Sequence, residues 1–377
     1  MSKNLDLVII GAGLSGCVIA ERAAKLLNWK VQIIERRNHI AGNCFDKYIE
    51  NGVLVHQYGP HYFRTNNPTL MDYLSKFTSW IEGNYVVKSS FNNQLYPFPI
   101  NLDTLELFFE QTLDVEKAKE LLEEKREKIE SPKNSEEFVL SRVGIEMYNA
   151  FYLNYTLKQW DTHPKELETS VCGRIPIRLN RDDRYVEHKY QIMPKEGYTA
   201  MMQNMINHPN IHLLLNTDYR EINLSEIPCV VYTGPIDEYF NYCYGQLPWR
   251  SLKFEYKDFE QELVQPCVQI NYPNEHAYTR TVEIIHVTGQ KHPCTTITYE
   301  YPCSEGEPYY PIPASENRQL YERYKVLAEI ETREKNVFFT GRLAEYAYLN
   351  MDEVIERALN VFEEIKSKSE ASHLIFN

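Results

Sequence analysis

The chain is 377 residues long, with 43% hydrophobic and 25% charged residues and a formal net charge of −13. That length exceeds what a single core usually serves, so two or three packed units are expected. The acidic balance argues against a nucleic-acid partner, because affinity for a phosphate backbone needs a cationic surface. No apolar run approaches the ~18 residues that span a bilayer. Met1–Asp6 has no apolar leader segment and runs straight into a strand, which predicts a cytoplasmic protein. The eight cysteines, Cys17, Cys44, Cys172, Cys229, Cys243, Cys267, Cys294 and Cys303, show no CxxC pair and no zinc-like spacing with histidines. Neither a metal site nor a redox pair is expected. The 28 tyrosines cluster in short polar segments, and a flat apolar face with one hydroxyl suits contact with sugars and phosphates.

In chain order, the apolar run Leu7–Ile10 enters Gly11-Ala12-Gly13-Leu14-Ser15-Gly16, followed by a helical stretch over Cys17–Lys25 and a second strand, Val31–Ile34, ending at Glu35. This is the register of a dinucleotide-binding turn. Gly11 makes the tight turn, Gly13 lets backbone approach a pyrophosphate, and Gly16 allows close helix-to-strand packing. The backbone N–H groups of Leu14 and Ser15 open the helix toward the phosphates. Glu35 falls where a carboxylate binds ribose hydroxyls, which favours FAD or NAD over NADP. The following Arg36-Arg37-Asn38-His39-Ile40-Ala41-Gly42-Asn43 places Arg36, Gly42 and Asn43 where a further pass along a long dinucleotide would run. It is similar to the E-R-R-x-x-x-G-G-N stretch of flavoproteins related to amine oxidases and sugar mutases, with Ala41 in place of the first glycine.

Asn67-Pro68 predicts a helix start, and Tyr85–Ile100 predicts a hairpin broken at Asn92-Asn93. Residues 102–157 carry a helical pattern, with Asn134 and Glu137 as a capping box for a helix from Ser135. Residues 175–195 and 247–300, rich in Tyr, Val, Ile and Thr, predict an antiparallel sheet. Between them lie a helix over Tyr198–Asn207 and strands over Ile211–Leu215 and Cys229–Pro235. A buried strand at Asn336–Arg342 and a closing amphipathic helix carrying Val354, Ile355, Ala358, Leu359, Phe362 and Ile365 return to the nucleotide unit. The expected class is α/β: a discontinuous Rossmann-like FAD-binding domain (1–68, 196–237, 331–377), an inserted, mostly helical domain with a mobile loop (69–84, 101–174) and an antiparallel β-sheet substrate domain (85–100, 175–195, 238–330).

Seven further motifs carry a resemblance over nearly the whole chain: Tyr58-Gly59-Pro60-His61-Tyr62-Phe63, Pro97-Phe98-Pro99-Ile100-Asn101, Tyr155-Thr156-Leu157-Lys158-Gln159-Trp160, Tyr232-Thr233-Gly234-Pro235-Ile236-Asp237, Tyr278-Thr279-Arg280, Glu307-Pro308-Tyr309-Tyr310-Pro311 and Gly341-Arg342-Leu343. With them the sequence resembles the bacterial UDP-galactopyranose mutases. The resemblance implies FAD, active when reduced, with NADPH or NADH as reductant, a nucleotide-sugar substrate and a homodimer. It implies that flavin N5 attacks the anomeric carbon, expels the nucleoside diphosphate and forms a covalent sugar adduct that opens and recloses as the furanose, for surface polysaccharide synthesis.

Motif by motif, Arg174 and Arg280 match arginines that clamp the diphosphate, two guanidinium forks that suit a pyrophosphate in an acidic protein. Tyr155, Tyr185, Tyr310 and Tyr348 match contacts to phosphate and sugar, Trp160 matches the aromatic near the uridine, and Asn271 falls in the substrate set. Arg342 and Met351 match positions beside the flavin, His61 lies in the loop facing its reactive edge, and Tyr58, Gly59, Gly234 and Gly341 complete the cofactor set. Two positions depart from the family. Arg64 stands where many members have histidine, and Asn350 where they often have aspartate; both predict a retuned sugar pocket. The alternative is an amine-oxidase-like FAD oxidoreductase, which shares the N-terminal fingerprint but has no diphosphate to clamp. A non-catalytic nucleotide sensor on the same fold is the third reading.

Overall fold

The computed structural model describes residues 5–375, and side chains up to residue 371. Five short, almost wholly apolar strands form a parallel sheet in the spatial order Ile211–Leu214, Val31–Ile34, Leu7–Ile10, Val230–Tyr232, Val337–Phe339. Leu7, Ile9, Val31 and Ile33 are fully buried, as strands covered on both faces require. The helix Leu14–Leu26 packs on this sheet and against the closing helix Met351–Ile375, whose Ile355, Ala358, Phe362 and Ile365 face inward as the periodicity predicts. Strands distant in sequence are thus neighbours, as a discontinuous nucleotide-binding unit requires.

The second sheet has seven strands in the order Tyr310–Pro311, Trp249–Phe259, Thr295–Cys303, Arg280–Val282, Gln269–Asn271, Val87–Phe91, Gln94–Phe98. It is antiparallel except where Gln269–Asn271 runs parallel to Val87–Phe91. The segment 175–195 joins it only through an isolated antiparallel bridge between Arg184 and Val86. Only Tyr190–Pro194 is a strand, and it sits between Phe63–Thr65 and Trp80–Glu82 in a separate three-stranded sheet. Residues 178–187 instead wrap the buried Arg178 guanidinium, which donates to the carbonyls of Asp182 and Arg184 and to Glu187 at 3.0 Å. Those bonds take the place of a partner strand.

The helical segment runs Leu102–Phe109, Val115–Lys125, Ser135–Met147 and Leu153–Trp160. Asn134 caps the third of these, accepting from the Glu137 N–H at 2.9 Å while the Glu137 carboxylate reaches back to the Lys133 N–H. A second difference concerns Ser315–Lys335, a 21-residue helix that crosses the boundary expected at residue 330 between the substrate domain and the nucleotide unit. It packs on the strand Val337–Phe339 and the short helix Ile236–Tyr239 of the nucleotide-binding unit. Its inner face is built from Tyr321, Tyr324 and Ala328 among many charges, so its apolar stripe is faint in the sequence.

Candidate active site

The dinucleotide turn forms a groove at the carboxyl ends of the parallel strands, where ligands of open α/β sheets bind. Gly11, Gly13, Leu14, Ser15, Glu35, Arg36, Gly42, Asn43, Gly234, Gly341, Arg342 and Met351 all line it. The helix starting at Leu14 has no side-chain cap on its first N–H groups, so they and the helix dipole stay free for an anion. Gly13 and Gly42 pack against each other on the groove wall, where a Cβ at Gly42 would stand 3.0 Å from the Gly13 α-carbon. Gly16 lies behind the groove rather than in it. A Cβ there would collide with the carbonyl oxygen of Gly11, so its role is close packing. Ala41, which replaces a glycine of the flavoprotein stretch, is held in the left-handed region at φ 73°.

Glu35 is 7% exposed, and its carboxylate accepts from the Ala12 N–H and the Arg37 N–H, both at 2.9 Å. Arg36 and Arg37 pair with Glu307 at 2.7 and 3.1 Å, and Arg37 lies over the Tyr58 ring at 4.6 Å. The far end of the groove is closed by Thr217, Asp218, Tyr219 and Glu238, which sequence reasoning missed. The available signal was their position just past the ends of parallel strands. These features fit a long dinucleotide: a glycine-lined wall, an uncapped helix start and a carboxylate at the end of the second strand.

A second cavity opens from the groove, and Asn43, His61, Arg342 and Met351 line both. Its walls hold Arg64, Arg174, Arg280 and Arg342 with Tyr58, Tyr185, Tyr309, Tyr310, Tyr348 and Asn350. Among the described residues only Arg280 of these four cations has a carboxylate partner, Glu300 at 2.6 Å. Arg174 donates to the Tyr348 carbonyl at 3.2 Å and lies 3.7 Å over the Tyr348 ring; Arg342 donates to the Leu349 carbonyl at 2.7 Å. Arg64 donates to Asn350 Oδ1 at 2.9 Å, so the two departures from the family pattern are hydrogen-bonded to each other. The pocket therefore concentrates positive charge inside an acidic protein. Burial pushes the Tyr348 phenol up, but the surrounding Arg174, Arg342, Arg280 and Arg64 outweigh it and hold it below the usual tyrosine range.

Histidine states follow from the hydrogen bonds. His61 Nδ1 meets the Gly59 carbonyl at 2.9 Å, which can only accept, so Nδ1 carries the proton and Nε2 a lone pair. Burial, with His56 and Arg342 nearby, lowers the His61 pKa to about 3. It is a neutral acceptor facing the cavity rather than an acid. The His61 N–H in turn donates to His56 Nδ1 at 2.9 Å.

Four residues expected at the ligand lie behind it. Trp160 packs edge-on against Tyr310 with ring centroids 6.1 Å apart and tilts against Tyr348, supporting the tyrosine pair rather than lining the cavity. Its helix is anchored by the buried Arg250, which donates to the carbonyls of Gln159 and Lys158 at 3.0 and 3.2 Å and satisfies the helix end. Tyr155 sits on the same helix, close enough to feel the Arg280 charge, and is likewise not on the wall. Asn271, 6% exposed, accepts from Gln269 Nε2 at 2.8 Å; Gln269 lines the pocket and Asn271 orients it. Gly59 is also off both walls, and its contribution is the backbone carbonyl that receives His61. Conversely, Tyr62, Tyr85, Tyr309 and Gln269 are wall residues that no motif singled out individually.

Fold and site together define a nucleotide-dependent enzyme whose cofactor groove opens onto a cationic, tyrosine-walled pocket. A model of the UDP-galactopyranose mutase family matches residues 150–348, and one of an NAD(P)-binding Rossmann-like domain matches residues 9–77. The chain is 38% identical to a probable UDP-galactopyranose mutase of Klebsiella pneumoniae, covering 97% of this chain and 96% of that protein. It is 36% identical to the dTDP-fucopyranose mutase of Escherichia coli, covering 93% and 96%. Its fold matches a crystal structure of reduced UDP-galactopyranose mutase with a TM-score of 0.79 at 16% identity, covering 97% and 96%. The chain belongs to the UDP-galactopyranose mutase family, and its class of activity is isomerase.

Proposed function

We propose that this mutase interconverts the pyranose and furanose forms of a nucleotide-linked hexose, with FAD in the groove and the sugar diphosphate in the cationic pocket. The observation that carries this reading is the set of four guanidinium groups around one cavity, three of them held by neutral acceptors, at the mouth of the cofactor groove. An amine substrate would meet only repulsion there, which disfavours the amine-oxidase alternative. Reduced FAD, when bound, supplies a nucleophilic nitrogen for the anomeric carbon, with no net electron transfer.

The protein's own residues hold and release the leaving group. Arg174 and Arg280 present N–H donors to the diphosphate as its charge develops, where preorganised donors count most. Tyr310 and Tyr348, stacked 5.4 Å apart, form a wall against which the diphosphate and sugar rest. His61 offers a lone pair rather than a proton, so ring opening draws on no imidazolium. Arg64 and Asn350 face the hexose and set which substituents are accepted.

A nucleotide sugar carrying a heavy oxygen label in the bridge between the anomeric carbon and the diphosphate tests this reading. Reduced enzyme is expected to scramble the label into the non-bridging positions, because the bond breaks and the diphosphate stays bound. Turnover without scrambling would contradict the proposed cleavage.

A further inference from the structure

Glu300 is a fully buried acid, 0% exposed, on the central strand Thr295–Cys303. In the sheet register it stands directly opposite Arg280 on one side and Phe254 on the other. One carboxylate oxygen accepts from Arg280 Nε at 2.6 Å. The other has no hydrogen-bond partner among the described residues, and a Cβ at Gly59 would come within 3.3 Å of it. A fully buried carboxylate with one oxygen unpartnered is costly unless its single cation fixes it, so this pair is tightly constrained. The contact uses the Nε edge of the fork. That leaves the terminal nitrogens of Arg280 turned to the cavity, with Nη2 3.3 Å from the Tyr310 hydroxyl.

We infer that Glu300 is a positioning residue, which aims the terminal nitrogens of Arg280 at the leaving diphosphate from a place no substrate reaches. The inference rests on the proposed mutase function. A mere salt bridge for stability would serve equally well at any orientation of the fork. Here the carboxylate engages Nε, while Nη2 reaches the Tyr310 hydroxyl on the cavity wall.

Two variants test this: Glu300→Gln, which keeps the shape and removes the charge, and Glu300→Asp, which keeps the charge and withdraws it by one methylene. Loss of aim is expected to lower kcat by about tenfold or more in each. UDP affinity, measured calorimetrically, is expected to change less than about threefold in E300Q, since lost aim and lost opposing charge act in opposite directions on the bound anion. On an Arg280→Lys background, which has no fork to aim, E300Q is expected to cost no more than about twofold further. The inference is overturned if either folded variant turns over within about twofold of the wild type, if kcat and UDP affinity fall by one common factor, or if the full loss persists beside Lys at 280. A wild-type enzyme that binds UDP but forms no furanose would count against the mutase reading instead.

Discussion

Arg64 and Asn350 offer the sharpest way to ask what the pocket selects. In Asn350→Asp, the neutral acceptor 2.9 Å from the Arg64 guanidinium becomes a carboxylate. The wild-type bond already has one charged partner, worth about 1.5–3 kcal/mol; a carboxylate turns it into an ion pair, so Arg64 is held more tightly and lost to the ligand. In Arg64→His, Asn350 loses its partner and the pocket one donor, a cost of about 1–2 kcal/mol in kcat/KM, or roughly 5–30-fold. The double variant places histidine and aspartate at the two positions together, so its effect should be smaller than the sum, with a coupling of about 1–2 kcal/mol. The assay is kcat/KM of wild type, both single variants and the double variant, reduced with dithionite, on UDP-galactose, UDP-N-acetylgalactosamine and dTDP-fucose. The ratios among the three sugars are expected to differ between wild type and double variant while both remain active. Equal turnover of the three by wild type, or identical ratios in all four proteins, would refute a role in sugar recognition.

Other consequences are as direct. Arg174→Ala should lower kcat by about 10²–10³ with little change in melting temperature, because the side chain is exposed and donates to one carbonyl; unchanged kcat would remove it from the clamp. Gly16→Ala drives a methyl into the Gly11 carbonyl and should cost about 1–3 kcal/mol of stability and most of the bound flavin, read from visible absorbance; full flavin content would show the turn can yield. His56 is 4% exposed, and burial lowers its pKa from 6.5 to about 3. The unfolded chain therefore takes up the proton first, and stability, complete above pH 6.5, falls toward pH 3 by about 1.4 kcal/mol per pH unit. His56→Asn, whose oxygen can still accept from the His61 N–H, should flatten the decline in melting temperature between about pH 7 and about pH 5; parallel curves would contradict the assignment.

The cofactor groove was legible because its chemistry is local. Gly11, Gly13, Ser15 and Glu35 lie within one strand–turn–helix–strand unit, and backbone conformation dictates each of them. The cationic pocket was legible only by likeness to known mutases, since Arg64, Arg174, Arg280 and Arg342 are scattered over 279 positions and taken singly resemble solvated arginines. Glu300 was invisible: in Thr298-Tyr299-Glu300-Tyr301 it reads as an outward polar residue of an alternating strand, and only the register with Arg280 turns it inward. The segment 175–195 misled because its β-branched and tyrosine content suits a strand, whereas the buried Arg178 guanidinium satisfies its carbonyls and leaves a loop. Asn271, expected at the ligand, hydrogen-bonds Gln269, the wall residue two positions earlier on the same face of the strand.

The central claim is isomerisation without net redox chemistry, and one incubation tests it. Enzyme reduced beforehand and given a nucleotide hexose under anaerobic conditions should yield the furanose isomer of equal mass while the flavin stays reduced, and oxidised enzyme should yield none. An oxidised sugar, or flavin bleached by substrate alone, would contradict it.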